Sequence, residues 1–395
     1  MTKRIEMLKA IQSICRPALY VGVVLLGFIN STAAAQAQQT CAYVNDNLPS
    51  ANAVEGYRVT QTTALHVGPV ATGGNGSPTN DPTFFGTPLI AIAPGTAHLY
   101  ASDSASNDIA LFDIDPSTCK LTFVANYPAG GSSLFGLGIT VSHDGKFLYA
   151  SNSDRQSTLA VFAINPDGSL PSPLQTVSLP FNLSSMAFTP NGKVLIVTQP
   201  TAQSQVESYT VDSSSGKLTF ASAVTTQAAA DGIAIDPHNK FIYVGDGGEG
   251  GSAAVQVIEL GAGGALRYIS NVVFNGIDNP AGIRGGSNCL LFSPNGKLLF
   301  FTDQLTAEVI SLNVDSQSGD LSFQSIVEDG EAFVDEPSQL AGSASRSLLF
   351  TGDFNTAGAP SMGILRVTAN GVLKLLGTVP LAPNAAATSI AAITF

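Results

Sequence analysis

One phrase recurs through this chain with its key residues in the same order: Tyr43-Val-Asn-Asp46, Tyr100-Ala-Ser-Asp103, Tyr149-Ala-Ser-Asn152, Ile196-Val-Thr-Gln199, Tyr243-Val-Gly-Asp246, Phe300-Phe-Thr-Asp303 and Phe350-Thr-Gly-Asp353. Each runs from an aromatic or apolar residue through two small or apolar ones to a carboxylate or amide. Successive anchors lie 57, 49, 47, 47, 57 and 50 residues apart. A period near fifty describes an array of supersecondary units, each too small to bury both its faces alone.

The unit from Gly136 to Pro180 shows what is repeated. Gly138–Ser142 is a β-branched run, His143-Asp-Gly-Lys146 a tight turn, Phe147–Ser151 a second apolar run and Ser157–Ile164 a third. Asn165-Pro-Asp-Gly168 turns the chain again before Leu174–Leu179. This predicts a four-stranded antiparallel meander joined by hairpin-length turns. The first turn recurs as Thr189-Pro-Asn-Gly-Lys193, Asp236-Pro-His-Asn-Lys240 and Ser293-Pro-Asn-Gly-Lys297, and the last as Asp115–Cys119, Asp212–Gly216 and Asp315–Gly319. Second strands such as Lys297-Leu-Leu-Phe-Phe301 are apolar without a gap, as expected of a strand covered on both faces. Twisted sheets stacked around an axis make a β-propeller. Six complete units fit between about Pro88 and Leu381. Residues 41–71 supply three strands and lack a first one, while 387–395 reads as a lone first strand. The fold class predicted is all-β, a seven-bladed propeller closed by the C-terminal strand joining the N-terminal three.

Residues 1–37 read as a cleaved export signal: Lys3, Arg4, Lys9 and Arg16, a short apolar stretch Ala18–Ile29, then Ala35-Gln-Ala37. The apolar stretch is too short to span a bilayer, which takes roughly 18 residues or more. The predicted organisation is thus a signal over 1–37 and one propeller domain over 38–395, exported to the periplasm or beyond. The signal carries four bases and one acid, so the formal charge moves from −12 to −15 on its removal. So acidic a chain makes a poor partner for nucleic acid or an anionic membrane surface. The expected state is a soluble monomer. Three cysteines remain after residue 37. Cys41 begins a second strand and Cys119 sits in a last turn, both at the lower end of neighbouring blades, which favours a Cys41–Cys119 bridge. Cys289 is left as a buried structural thiol.

Connectivity sorts the remaining chemistry. With the first, innermost strand of each unit starting at the upper face, second-to-third and fourth-to-first loops are also upper. His98, His143 and His238 then fall in lower turns and His66 on an outer strand, so no histidine metal site is expected, and no cofactor. The seven recurring Asx and Gln residues read first as acceptors capping the loop that follows them. The repeat is broken in three upper loops, 70–86, 275–288 and 327–337. The acidic run 328–336 lacks the spacing of a calcium loop and reads as solvated. Arg155, Asp246 and Asp303 are candidate ligand-binding groups at this face, and Arg284, Glu249 and Asp231 candidate catalytic ones.

The phrases Ser142-His-Asp-Gly-Lys-Phe-Leu-Tyr-Ala-Ser-Asn152, Asp236-Pro-His-Asn-Lys-Phe-Ile-Tyr-Val-Gly-Asp246 and Ser293-Pro-Asn-Gly-Lys-Leu-Leu-Phe-Phe-Thr-Asp303 resemble the seven-bladed lactonase family, of the 6-phosphogluconolactonase type with Tyr-Val-Thr-Asn repeats. The resemblance covers residues 41–395. It implies a lactone hydrolase, with Arg-His pairs ahead of inner strands and a Glu after a second strand. Here the inner strands open with Ser184-Ser-Met, Asp231-Gly-Ile and Ser287-Asn-Cys, without the Arg-His pair. Glu249 is a loose counterpart of the acid, and Arg284 precedes a different strand. Two functions therefore stand side by side. One is an exported hydrolase of a sugar or small-molecule lactone, in which Arg284 polarises the carbonyl and Glu249 or Asp231 activates water. The other is a non-catalytic propeller that binds a carbohydrate, peptide or surface partner through its uneven upper loops.

Overall fold

A computed structural model describes residues 39–60, 63–77, 88–133, 136–154, 157–180, 182–199, 204–246, 254–273, 287–303, 307–328, 335–355, 360–383, 385 and 389–395. In them the β-branched and aromatic runs form strands, and Gly or Asn at positive φ turns the chain between them, as at Gly145, Gly192, Asn239 and Gly296. The strands pair antiparallel into seven four-stranded sheets, six of them built from consecutive strands. The seventh, blade 1, joins the C-terminal strand Ser389–Thr394 to Thr40–Asn45, Ala53–Val59 and Ala64–Ala71. Its closing register runs from Thr40 opposite Thr394 to Asn45 opposite Ser389. Blades 2 to 7 follow, with inner strands Ile90–Ile92, Gly136–Val141, Ser185–Phe188, Ile233–Ile235, Ser287–Phe292 and Asp335–Gly342. The seven-bladed, all-β architecture and its terminal closure are as the repeat predicts.

The core lies between blades rather than within one. Leu299 and Phe301 pack with Tyr243 and Val257 of blade 5, while Phe300, between them in sequence, packs with Leu349 and Leu365 of blade 7. Side chains alternate across a strand, so a second strand buried on both faces must be apolar at every position. That is the physical origin of the gapless runs. Outer strands are half exposed, and in six blades a bulge offsets the third strand from the fourth, as between Ser208 and Tyr209. Bulges of this kind increase the local twist.

The aromatic that opens the recurring phrase has a second role. Tyr43, Tyr100, Tyr149 and Tyr243 each donate their hydroxyl to a carbonyl in the next blade's last turn: Cys119 O at 3.1 Å, Gly168 O at 2.7 Å, Gly216 O at 2.7 Å and Gly319 O at 3.1 Å. In blades 4 and 6 the phrase begins with Ile196 and Phe300, which have no hydroxyl. There the residue directly across the strand pair is a serine, Ser208 or Ser311. Ser208 Oγ donates to Gly264 O at 2.5 Å and Ser311 Oγ to Gly371 O at 2.9 Å. The buried turn carbonyl needs a donor, and two different side chains supply it from the same place.

The same turn position explains the cysteine bridge. Gly168, Gly216, Gly264, Gly319 and Gly371 all have φ between 70° and 86°, and Cys119 occupies the equivalent place at φ 61°. Cys119 is joined to Cys41 by a disulfide with Cα atoms 5.5 Å apart, linking blade 2 to blade 1.

Candidate functional site

The upper rim of the axial channel is where the inner strands begin. Asp231 lies there, ahead of the blade 5 inner strand. Its N–H donates to Gly245 O at 3.0 Å, which holds it beside Asp246 at the end of the second strand. Ser184, ahead of the blade 4 inner strand, donates Oγ to Asp231 Oδ1. Thr198 Oγ1 donates to the Asp231 carbonyl at 2.6 Å. Burial, opposed by the Ser184 bond and reinforced by the neighbouring Asp246 charge, pushes the Asp231 carboxyl up to about 7. A carboxylate poised there can exchange a proton near neutrality.

Cys289 and Gln339 lie on the inner strands of the next two blades. Leu340 N–H donates to Cys289 Sγ at 3.2 Å, and the thiol lies 3.7 Å from Gln339 Oε1. The residue is only partly buried, less than expected of a structural thiol, and desolvation pushes its thiol up to about 12, which disfavours the thiolate. Asp303 is fully buried at the top of blade 6, opposite Glu308 across the strand pair. The structure thus brings Asp231 and Asp246 together and holds Asp303 a blade away. Arg284, Glu249 and Arg155 lie outside the described residues, as do 78–86, 275–286 and 329–334 of the three uneven loops. Ser184 and Thr198, which orient Asp231, are residues sequence reasoning missed. Their only signal is a hydroxyl placed one blade before an acidic strand start.

The four histidines serve the frame. His66 pairs with Glu55, His98 Nδ1 lies 2.9 Å from Asp113, His238 Nδ1 lies 2.8 Å from Asp236, and His143 Nε2 is 3.0 Å from Thr189 O. Among the described residues no cluster of His, Cys, Asp and Glu could hold a metal ion.

Two of the recurring Asx residues bond loops from a different direction than expected. Asp103 Oδ1 accepts from Asn52 Nδ2 and Thr72 Oγ1, each at 2.8 Å, both from the preceding blade. Asn152 Nδ2 donates to Ala129 O at 3.1 Å, again in the loop arriving from the blade before. Glycine in that arriving loop is required: a Cβ on Gly74 would meet Asp103 Oδ2 at 2.4 Å, and one on Gly131 would meet Asn152 Cγ at 2.7 Å. Asp103 and Asn152 therefore clasp the incoming loop, whereas Asp353 Oδ2 accepts from Ser361 Oγ at 2.9 Å, at the far end of the loop that follows it.

Asp46, like Gln199, is left incompletely bonded. It is 1% exposed, its Oδ1 has no partner, and burial followed by the Glu55 charge raises its carboxyl to about 8. The folded state thus holds a proton that the unfolded chain releases near its ordinary value of about 4. Asp46 contributes stability that is fully present below about pH 4 and is lost as pH rises through about 8. Asp103, raised to about 6, and Asp231 act in the same direction. Thermal melts should therefore show the protein less stable at pH 8.5 than at pH 5. Asp46→Asn should recover a few degrees at pH 8.5 and little at pH 5. An equal shift at both pH values would exclude a buried proton at Asp46.

A family model described as lactonase, seven-bladed β-propeller, matches residues 136–227, which span blades 3 and 4. No curated protein matches the chain. Among solved structures, the periplasmic gluconolactonase PpgL of Pseudomonas aeruginosa is 18% identical with a TM-score of 0.68, over 88% of this chain and 97% of that one. A Bacteroides uniformis protein provisionally assigned as a 6-phosphogluconolactonase is 17% identical with a TM-score of 0.67, over 90% and 99%. Hydrazine synthase of Kuenenia stuttgartiensis is also 17% identical with a TM-score of 0.59, over 82% and 94%. The resemblance read from the repeats is thus matched by the lactonase family model and by 6-phosphogluconolactonase-like propellers. At such identities the structural likenesses speak for the fold, and the same fold carries unlike chemistries.

Proposed function

We propose that this lactonase-like propeller is an exported hydrolase of a sugar or small-molecule lactone, acting at the upper mouth of its channel with Asp231 as general base. The observation that carries the reading is the buried Asp231 carboxyl, raised to about 7 and oriented by Ser184. In its ionised form Asp231 takes a proton from water as the oxygen attacks the lactone carbonyl. The ring C–O bond then breaks and the product is a hydroxy acid. Arg284 is the proposed cation that polarises the carbonyl, with Glu249 and Arg155 as further groups of the uneven loops. The disulfide supports the exported location, since such bonds persist in oxidising compartments.

The test is turnover of a panel of sugar and aliphatic lactones by residues 38–395. The expected profile of kcat/KM rises with pH to a plateau with its midpoint near 7, because the base must be ionised. Asp231→Asn should lower kcat by on the order of 100-fold or more while the protein stays folded. Turnover unaffected by that change removes Asp231 from the reaction. No turnover of any lactone favours the non-catalytic reading, a propeller that binds carbohydrate, peptide or a surface partner.

A further inference from the structure

The lower half of the channel holds a cavity of about 460 Å³, at the opposite end from Asp231. Its wall is apolar, built from inner-strand residues such as Ile92, Val141, Phe188, Leu291 and Ala341. Arg346, in the blade 7 lower turn, also lines it. This arginine departs from the repeat in two linked ways. The equivalent turn residue is Gly145, Gly192, Asn239 or Gly296 in blades 3 to 6, all at positive φ, and Arg346 takes the same conformation at φ 54° despite its side chain. The last inner-strand residue is Ile92, Val141, Phe188, Ile235 or Phe292 in blades 2 to 6, and in blade 7 it is Gly342. A Cβ on Gly342 would meet Arg346 Cδ at 2.7 Å. Blade 7 has thus exchanged a large apolar side chain on the channel floor for a guanidinium lying across the vacated space.

That guanidinium is poorly satisfied. Nη1 donates to Gly342 O at 2.8 Å and Ser343 O at 2.9 Å, while Nε is buried with no partner. Among the described residues no carboxylate lies within ion-pair distance of it, although the chain has 29 acidic residues to 17 basic ones. A half-buried cation beside an apolar cavity is costly unless a counter-charge arrives.

We infer that the lower channel is a binding site for a small amphiphilic carboxylate. Its apolar tail occupies the cavity and its carboxylate pairs with the Arg346 guanidinium, whose planar donors suit that group. The site is separate from the proposed hydrolytic mouth, and its test needs no turnover.

Binding of hexanoate and of hexanamide to residues 38–395 would be compared by calorimetry, since the two share a shape and differ in charge. Hexanoate is expected to bind at least about tenfold more tightly, as one charge-assisted pair implies. Arg346→Gln should erase that difference. Arg346→Gly restores the residue that blades 3, 4 and 6 carry at this turn, and it should do the same in a chain that still folds. The inference is overturned if acid and amide bind equally, if neither binds at 20 mM, or if the preference for acid survives in the glycine variant.

Discussion

Removing residues 389–395 is expected to abolish the folded state, although the segment carries none of the candidate site residues. Ser389–Thr394 is the inner strand of blade 1 and pairs over six positions with Thr40–Asn45. Residues 41–45 of that partner are all buried, so the deletion uncovers a strand edge and an apolar face together. It also removes Ser389 Oγ, which accepts from Leu89 N–H at 2.8 Å in blade 2, and Thr394 Oγ1, which accepts from Ala344 N–H at 3.2 Å in blade 7. At roughly 2 kcal/mol for each of Ile390 and Ile393, and about 1 for each ladder hydrogen bond, the loss is on the order of 5–10 kcal/mol. A whole domain has only about 5–15 kcal/mol to lose. Expression should shift to aggregates, because an exposed apolar edge recruits other chains. A transposed chain separates contact from position. Phe395 N–H donates to Gln39 O at 2.9 Å, so residues 389–395 placed ahead of Gln39 through a short turn can form an ordinary hairpin. That variant should melt near the wild type. A truncated chain with an unchanged melting temperature would show that closure does not hold the ring.

The sequence disclosed what depends on neighbours in the chain. Turns such as Ser293-Pro-Asn-Gly-Lys297 are specified by four or five adjacent residues, and gapless strands by alternation, so blade count and closure were legible. Cys41 and Cys119 could be matched because both fall at one end of adjacent blades. What depends on contacts between blades was not legible. Tyr149 looks like any core aromatic until its hydroxyl is seen on Gly216 O, and Asn152 looks like a turn cap until it is seen holding Ala129. Ser184 acts on Asp231 from 47 residues away. The departures of blade 7 at Gly342 and Arg346 are visible only when the turns of all blades are set side by side. At the mouth, Asp231 could be picked as an acid at a strand start, but its burial and its Asp246 neighbour, which raise its carboxyl, arise from packing.

Breaking the Cys41–Cys119 bond should produce the second large effect, and Cys119 makes its size depend on the replacement. The bridge closes a separation of 78 residues between blades 1 and 2. Restricting the unfolded chain by a loop of that length is worth on the order of 4–5 kcal/mol in the chain-entropy account. Replacing both cysteines by alanine should lower stability by about that much, read as the midpoint of urea unfolding. Alanine at 119 must also hold φ near 61°, a conformation that disfavours a Cβ by about 1–2 kcal/mol. Five other blades place glycine at this turn position. Cys41→Ala combined with Cys119→Gly should therefore be more stable than the double alanine variant by about 1 kcal/mol, while still falling short of the oxidised wild type. The Tyr43 hydroxyl bond to the residue 119 carbonyl reaches a backbone atom and remains available in every variant. Equal midpoints for the oxidised and reduced wild type would show that the bridge constrains nothing. An alanine variant as stable as the glycine one would show that the turn carries no strain at Cys119. With both effects present, the bond does two things at once: it ties the first blade to its neighbour, and it offsets the strain of a side chain where the other blades have none.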